Sequence, residues 1–476
     1  DSLSVEEQER ERQRLFEILE RLVVWENSNN PDVLAEARAE IDQCFPDGAP
    51  PILDPFGGGG AIPLEAQRLG LTALSGDLNP VAVLIQKAMI EIPPRFAGKR
   101  PVHPDIDVEL TTWERAQGLA ADVEAYGQWM RDEAERRIGH LYPKATGSDG
   151  EKLTPIAWIW ARTVESPDPA WSGHVPLVAS WTLSNKKGKP KVWIEPIINR
   201  DTQTITYEVR TGGEPSHERT VDRGGGTCIA TGAAMPYSYI RPEFQTGQSG
   251  QQLLAVVAKG DGGRVYLSPN EVQVASAAVD PPESTVSGDI FDWPGRMNVV
   301  RYGMESWEDL FTPRQLTALT TFSDLLLEVR ERVIADAAAK GVIDDGVRLR
   351  DGGSGATAYA DAITTYLALM IDKCAEFWCS VCTWNSSTMQ IRNTFARQAI
   401  PMTWDFAEAN PFSRKMASWD SLMKGMRGAL ASCFPTDVPN GASVLQRDAR
   451  ARVQEAFGAV VSTDPPYYDN ISYADL

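Results

Sequence analysis

The chain has 476 residues, 42% of them apolar, and a formal net charge of −19. That length allows more than one buried core, but no apolar run approaches the roughly 20 residues that span a bilayer, and the opening DSLSVEEQERERQ is too charged for a signal peptide. A membrane role is therefore not expected and the chain reads as cytoplasmic, while the acidic balance means that any grip on nucleic-acid phosphate must come from a local basic patch or from a partner. Six scattered cysteines (Cys44, Cys228, Cys374, Cys379, Cys382 and Cys433) point to a reducing compartment rather than a disulfide framework.

In chain order, residues 4–27 set Leu15, Ile18, Leu19 and Leu22 at helical spacing behind a charged first turn. A second helix, Asp32 to Cys44, follows the turn at Ser28 to Pro31, so that residues 1–48 form a helical pair expected to pack beside a sheet. Residues 49–95 read as strand, glycine loop, helix, strand and acidic end. An apolar run reaches Asp54, then Pro55, Phe56 and the glycines Gly57, Gly58, Gly59 and Gly60. The helix after them carries Pro63 in its first turn, where a missing N–H costs nothing. A second strand, Thr72 to Ser75, closes on Gly76 and Asp77, 23 residues after Asp54 and near the ~20-residue offset of a nucleotide-binding βαβ step. Glycines let a backbone approach a ligand, and a carboxylate at the second strand's tip can hold both ribose hydroxyls. Four glycines are equally compatible with a flexible turn. The segment NPVAVLIQKAMIEI, from Asn79, predicts a largely buried helix stopped by Pro93 and Pro94.

Residues 96–295 interrupt this pattern. From Lys152 to about Pro269 short strand-like runs (IAWIWARTV, HVPLVASWTLS, KVWIEPII, TITYEVRTG, LLAVVAKG, GRVYLSP) alternate with turn residues and predict an all-β insert. Its one basic cluster, Lys186 to Lys191, suits a solvated hairpin tip or a phosphate contact. Residues 296–440 predict long helices at 312–339, 357–384 and 417–433. Between them RNTFARQAIPMTWDFAEANPFS is irregular and aromatic; Arg392, Arg397, Trp404 and Phe412 suit base stacking and target recognition, or a packed loop. In residues 441–476 the sheet resumes at Ser443 to Gln446, with Asp448 just beyond and a helix over Ala449 to Gly458. The strand at Val460 then runs into Asp464, Pro465, Pro466 and Tyr467. Four strands thus carry Asp54, Asp77, Asp448 and Asp464 to one edge of a parallel sheet, where ligands bind in such folds.

The Asp464-Pro465-Pro466-Tyr467 corner resembles the catalytic motif of the amino-methyltransferases that modify adenine or cytosine in DNA, and the Asp54-Pro55-Phe56 glycine loop resembles their S-adenosylmethionine loop. With SGDLNPVAV, IAWIWARTV, LFTPRQLTALTTFSDLL, RNTFARQAIPMTWDFAEANPFS and DPPYYDNISYADL added, most of the chain is similar to a prokaryotic adenine-specific DNA methylase family with an internal zinc-ribbon segment, often encoded near anti-phage defence systems. The resemblance implies an α/β fold: a Rossmann-like S-adenosylmethionine-dependent methyltransferase sheet, interrupted by an all-β insert and a helical region. It implies catalysis by Asp464, Pro465, Pro466 and Tyr467. It also implies S-adenosyl-L-methionine as cofactor, held by Asp54, Pro55, Phe56, Gly57 to Gly60, Asp77 on the ribose, Asn79, and Asp448 near the adenine amine. The expected reaction is methyl transfer to an exocyclic base amine in DNA, N6 of adenine first. The expected partners are DNA and a protein that completes the sheet or supplies the DNA grip. The alternative is a catalytically inactive methyltransferase-like scaffold in a DNA-binding or defence complex.

Two departures from the family shape further expectations. Ser166, Trp171 and Thr231 stand where ribbon thiols belong, with Cys228 retained, so the ribbon is expected to survive as a metal-free insert. The Cys379-Ser380-Val381-Cys382 motif lies in a helix-like apolar stretch and is expected to be a pair of buried structural thiols. The family's pattern runs on at both ends, so the chain is expected to be truncated, its sheet incomplete, and inactive alone.

Overall fold

The computed structural model describes residues 4–106, 112–396, 399–436, 441–451 and 458–465. Among the described residues the protein is a mixed α/β chain with one parallel sheet and several antiparallel ones, none of them closed. Two compact units share the chain: Asp1–Ala125 with Arg330–Tyr366 and Met426–Leu476, and Tyr126–Val329 with Leu367–Gly425. Among the described residues no helix is long and apolar enough to cross a membrane.

The first unit holds the parallel sheet. Its strands are β1 (Ile52–Asp54), β2 (Ala73–Asp77), β3 (Ala442–Gln446) and β4 (Val460–Val461), in the spatial order β3-β2-β1-β4. Ile52 lies opposite both Ala73 and Val460, and Ser75 opposite both Asp54 and Val444, so all four strands end at the same edge. Parallel neighbours need a crossover, and the Ala61–Arg68 helix supplies it between β1 and β2. Val83, Ile90 and Val444 are buried together with Leu64 and Met89 packed on them, which ties β3 to the helix that follows β2.

That helix departs from expectation. Pro93 and Pro94 do not stop it: Pro80–Gln86 passes through a π turn, Lys87–Glu91, into a last turn at Ile92–Arg95 that contains both prolines. The π turn resets the ladder, so the prolines occupy the start of a new helical turn, where no donor is lost. The N-terminal pair forms as Val5–Leu22 and Pro31–Cys44, with a Ser4–Glu7 capping box, but of the four periodic residues only Ile18 is buried. Arg14–Glu40 and Arg21–Glu36 ion pairs join its two helices, and the Arg38 guanidinium donates to the Arg68 carbonyl at 2.7 and 3.0 Å.

Asp122, also in this unit, accepts from the Val102 and His103 amides at 2.7 and 2.9 Å and from the Tyr359 hydroxyl at 2.7 Å. Burial outweighs these bonds and pushes its pKa up to about 6. Between roughly pH 4 and 6 the folded chain therefore holds a proton that the unfolded chain has released, and this site's contribution to stability falls as pH rises through that window. The loss amounts to roughly 3 kcal/mol. Asp122→Asn should remove that slope from urea denaturation measured across pH 4–6; an unchanged slope would assign the proton to another group.

The second unit is built on the 14-residue strand Lys152–Glu165, buried without interruption from Ile156 to Ala161. Gly250–Gly260 pairs on one side of it, with Gly263–Leu267 beyond, and Asp405–Ala409 pairs on the other. Each strand-like run expected between Lys152 and Pro269 contributes a strand, yet the insert is not all-β: Tyr237–Gln245 is a helix. Nor is the 296–440 region purely helical, because Asp405–Ala409 is a strand of the insert's own sheet. The helix expected over 357–384 stops at Phe377. Beyond it Thr383–Asn385 and Gln390–Arg392 form a hairpin, so Cys379 and Cys382 lie between helix and hairpin, not within a helix.

At the centre of this unit the Arg314 and Glu408 side chains are 0% and 1% exposed and meet in a bidentate pair at 2.6 and 2.8 Å. Trp160 Nε1 donates to Glu408 Oε2 at 2.8 Å. Arg314 also donates to the Leu141 carbonyl and Ser276 Oγ, and lies over the Trp158 ring at 4.5 Å. Every charged atom of the pair is thus supplied with a hydrogen bond, which is what burial of such a pair requires.

Candidate active site

The carboxyl edge of the parallel sheet is where the sequence-marked residues meet. Asp54 ends β1 and is 2% exposed; its Oδ1 accepts from the Phe56 amide at 3.1 Å and from Thr463 Oγ1 at 2.8 Å. That second bond ties the glycine loop to the stretch leading into Asp464. Asp77 ends β2, half-buried, with Oδ2 accepting from the Gly58 amide and Oδ1 from the Asn79 amide, both at 2.8 Å. Asn79 is the N-cap of Pro80–Gln86, its Oδ1 accepting from the Val81 amide at 2.9 Å. Asp464 and Pro465 lie exposed beyond β4, while Pro466 and Tyr467 lie outside the described residues, as does most of the Ala449 to Gly458 segment.

Electrostatics at this edge are dominated by acid. Burial raises the Asp54 pKa; the Thr463 and Phe56 bonds oppose the rise, and the nearby charges of Asp77 and Asp464 add to it. Asp448, two residues past β3, is engaged elsewhere: its carboxylate takes both the backbone N–H and the guanidinium of Arg450, which hold its pKa down at about 2.

The glycine loop is shaped mainly by the protein itself. A Cβ on Gly57 would collide with Ser75 Oγ and the Gln86 amide, and Gly60 caps the next helix at φ 83° with Met89 and Gln86 against it. Gln86 is fully buried, donates to the Gly58 carbonyl at 3.1 Å and accepts from Ser75 Oγ. Three loop amides are also spent inside the chain: Gly57 to the Gly76 carbonyl, Gly60 to the Gly57 carbonyl, and Gly58 to Asp77. Only at Gly59 would a Cβ meet open space with φ in the ordinary range. Sequence reasoning missed both braces of the site. Gln86 was signalled only as a polar residue inside VLIQKAMI, and Thr463 only as a hydroxyl inside a β-branched run.

In the second unit two of the four positions where the resemblance expects ribbon thiols, Ser166 and Cys228, lie together. Ser166 Oγ donates to Cys228 Sγ at 3.3 Å, and the Asp168 amide donates back to Ser166 Oγ at 3.2 Å. Cys228 opens a tight turn in which its N–H reaches the Ala233 carbonyl and its carbonyl takes the Gly232 N–H, both at 2.8 Å. Trp171 is buried and Thr231 Oγ1 accepts from the Ala233 amide. Cys379 and Cys382 are buried, 3.4 Å apart at sulfur, with Thr394 Oγ1 at 2.6 Å from Cys379 Sγ. Among the described residues no three His, Cys, Asp or Glu side chains converge as a metal site would need.

The aromatic stretch is largely internal. Phe412 is buried and stacks on Phe322, and Trp404 packs among Tyr237, Phe244 and Tyr302. Arg392 is exposed, and Arg397 lies outside the described residues. Comparison with known protein families, with curated proteins and with solved structures finds no match to this chain.

Proposed function

We propose that this chain is the core of an S-adenosylmethionine-dependent methyltransferase acting on an exocyclic base amine in DNA, N6 of adenine first. The strand order β3-β2-β1-β4 reverses direction between β1 and β4, and the crevice outside the carboxyl ends at such a reversal is where doubly wound sheets take nucleotides. Two observations support one kind of nucleotide over another: Asp54, Asp77 and Asp464 make that edge acidic, and three of the four loop amides are already bonded inside the chain. A pyrophosphate would meet carboxylates and few free N–H donors there. A cofactor with a cationic sulfonium and no phosphate fits both facts.

Asp77 keeps acceptor capacity for ribose hydroxyls, because a carboxylate offers about four lone-pair positions and the two backbone bonds use half of them. Bound S-adenosylmethionine would supply the activated methyl group. The chain's own part is positioning: the Asp464 carboxylate and the Pro465 carbonyl accept the two N–H bonds of the base amine, turning its lone pair toward the methyl. The base must leave the duplex to reach this corner, and the resemblance assigns Tyr467 to stack on it. In calorimetry S-adenosylmethionine should bind, and Asp77→Ala should weaken binding by roughly 1–3 kcal/mol. Preference for a dinucleotide, or equal affinity in the variant, would overturn the cofactor assignment.

A further inference from the structure

At the opposite, amino-terminal edge of the parallel sheet lies a cavity of about 220 Å³ whose lining includes Arg38, Arg68, Arg115, Cys433 and Thr436 and, among the described residues, no Asp or Glu. Arg38 comes from the second helix and Arg68 from the last turn of the crossover helix, eight residues past the final loop glycine. Their guanidinium groups are held mostly by backbone carbonyls. Arg38 donates to the Arg68 carbonyl, Arg115 Nη2 to the Phe434 carbonyl at 2.8 Å, and Arg68 Nη2 to the Cys433 carbonyl at 3.4 Å. Carbonyls orient a guanidinium without neutralising it. Among the described residues Glu65 is the one carboxylate bonded to any of the three; its side chain is 59% exposed, so it screens Arg68 weakly.

One further observation indicates a missing acceptor. Arg68 Nε is buried without a hydrogen-bond partner among the described residues, and a buried donor of this kind is destabilising until an acceptor reaches it. In a chain of net charge −19, three converging arginines are not the by-product of a generally basic surface. Their planar forks match the oxygens of a tetrahedral oxyanion.

We infer that this cavity binds a phosphate group, carried either by a free phosphate or by the diester backbone of a nucleic-acid strand. The ligand is distinct in kind from the one proposed for the acidic edge, and the inference stands whether or not that edge binds S-adenosylmethionine. The test is calorimetric titration, at constant ionic strength made up with chloride, of inorganic phosphate and of an oligothymidylate without terminal phosphates. The protein should bind one of them with a Kd of roughly 1 mM or tighter, and Arg115→Gln and Arg38→Gln should each weaken that binding about tenfold or more. Arg115 is exposed, so its variant should retain the native circular dichroism spectrum. Tighter binding of phosphate assigns the free ion and tighter binding of the oligonucleotide assigns the strand backbone. Binding of neither, or binding that both variants retain, overturns the inference.

Discussion

On the proposed function, Asp464→Ala should lower methyl transfer to adenine in DNA by about 100- to 1,000-fold, while S-adenosylmethionine affinity stays nearly unchanged. The side chain is exposed just beyond β4, so its removal leaves no cavity and costs the fold little. In the proposed mechanism it removes the acceptor for one amine N–H, an interaction of value only when base and methyl donor are aligned. Loss of that charge should also ease the Asp54 carboxyl back toward its ordinary pKa, since Asp464 is one of the charges that raise it. Transfer of labelled methyl to DNA, with cofactor affinity measured in parallel, separates the two effects. Activity that survives the substitution would overturn the mechanism; equal loss of cofactor affinity would make Asp464 a cofactor contact.

The largest effect on stability is expected at Glu408. Glu408→Ala strands Arg314, 0% exposed, with its charge uncompensated in the middle of the second unit. Breaking a buried pair from one side costs about 3–5 kcal/mol, whereas replacing both partners by apolar groups of similar volume is often neutral. Urea denaturation should therefore show Glu408→Ala strongly destabilised, and the double change Glu408→Leu with Arg314→Met less so than either single change. A loss below about 1 kcal/mol for Glu408→Ala would mean that water reaches the pair.

What the sequence revealed follows from which interactions are local. The strand, glycine loop, helix and strand around Asp54 and Asp77 were legible because turn chemistry and periodicity act over a few residues; β4 was legible because a β-branched run leads into Asp464, and β3 as a short run just before Asp448. The Arg314–Glu408 pair was not. Its partners stand 94 positions apart within stretches whose conspicuous features are helical periodicity and aromatics. Only the fold reveals that IAWIWARTV, TPRQL and DFAEA meet at one buried point, through Trp160, Arg314 and Glu408. The Asp405–Ala409 strand was hidden for a related reason: its burial is continuous from Phe406, so the alternation that marks a half-exposed strand is missing. In the candidate site the carboxylates were foreseeable from position. Their partners Gln86 and Thr463 were not, because hydrogen bonding to a loop 28 residues earlier, or to Asp54 from Thr463, leaves no local mark.

The split of the parallel sheet between the two ends of the chain has a consequence for synthesis. β2 ends at Asp77 and β3 begins at Ala442, and a ribosome adding about 5–20 residues per second needs roughly 20 to 70 s to make the segment between them. Throughout that interval β2 and β1 can pair with each other, but their outer edges, which later receive β3 and β4, stay open to any other extended chain. The second unit draws all of its residues from positions 126–425 and can close before β3 leaves the exit tunnel, so translation itself orders the two folding events. A nascent chain arrested where Gly425 has cleared the exit tunnel and β3 has not would then carry a protease-resistant second unit beside a sheet still protease-sensitive and bound by chaperones.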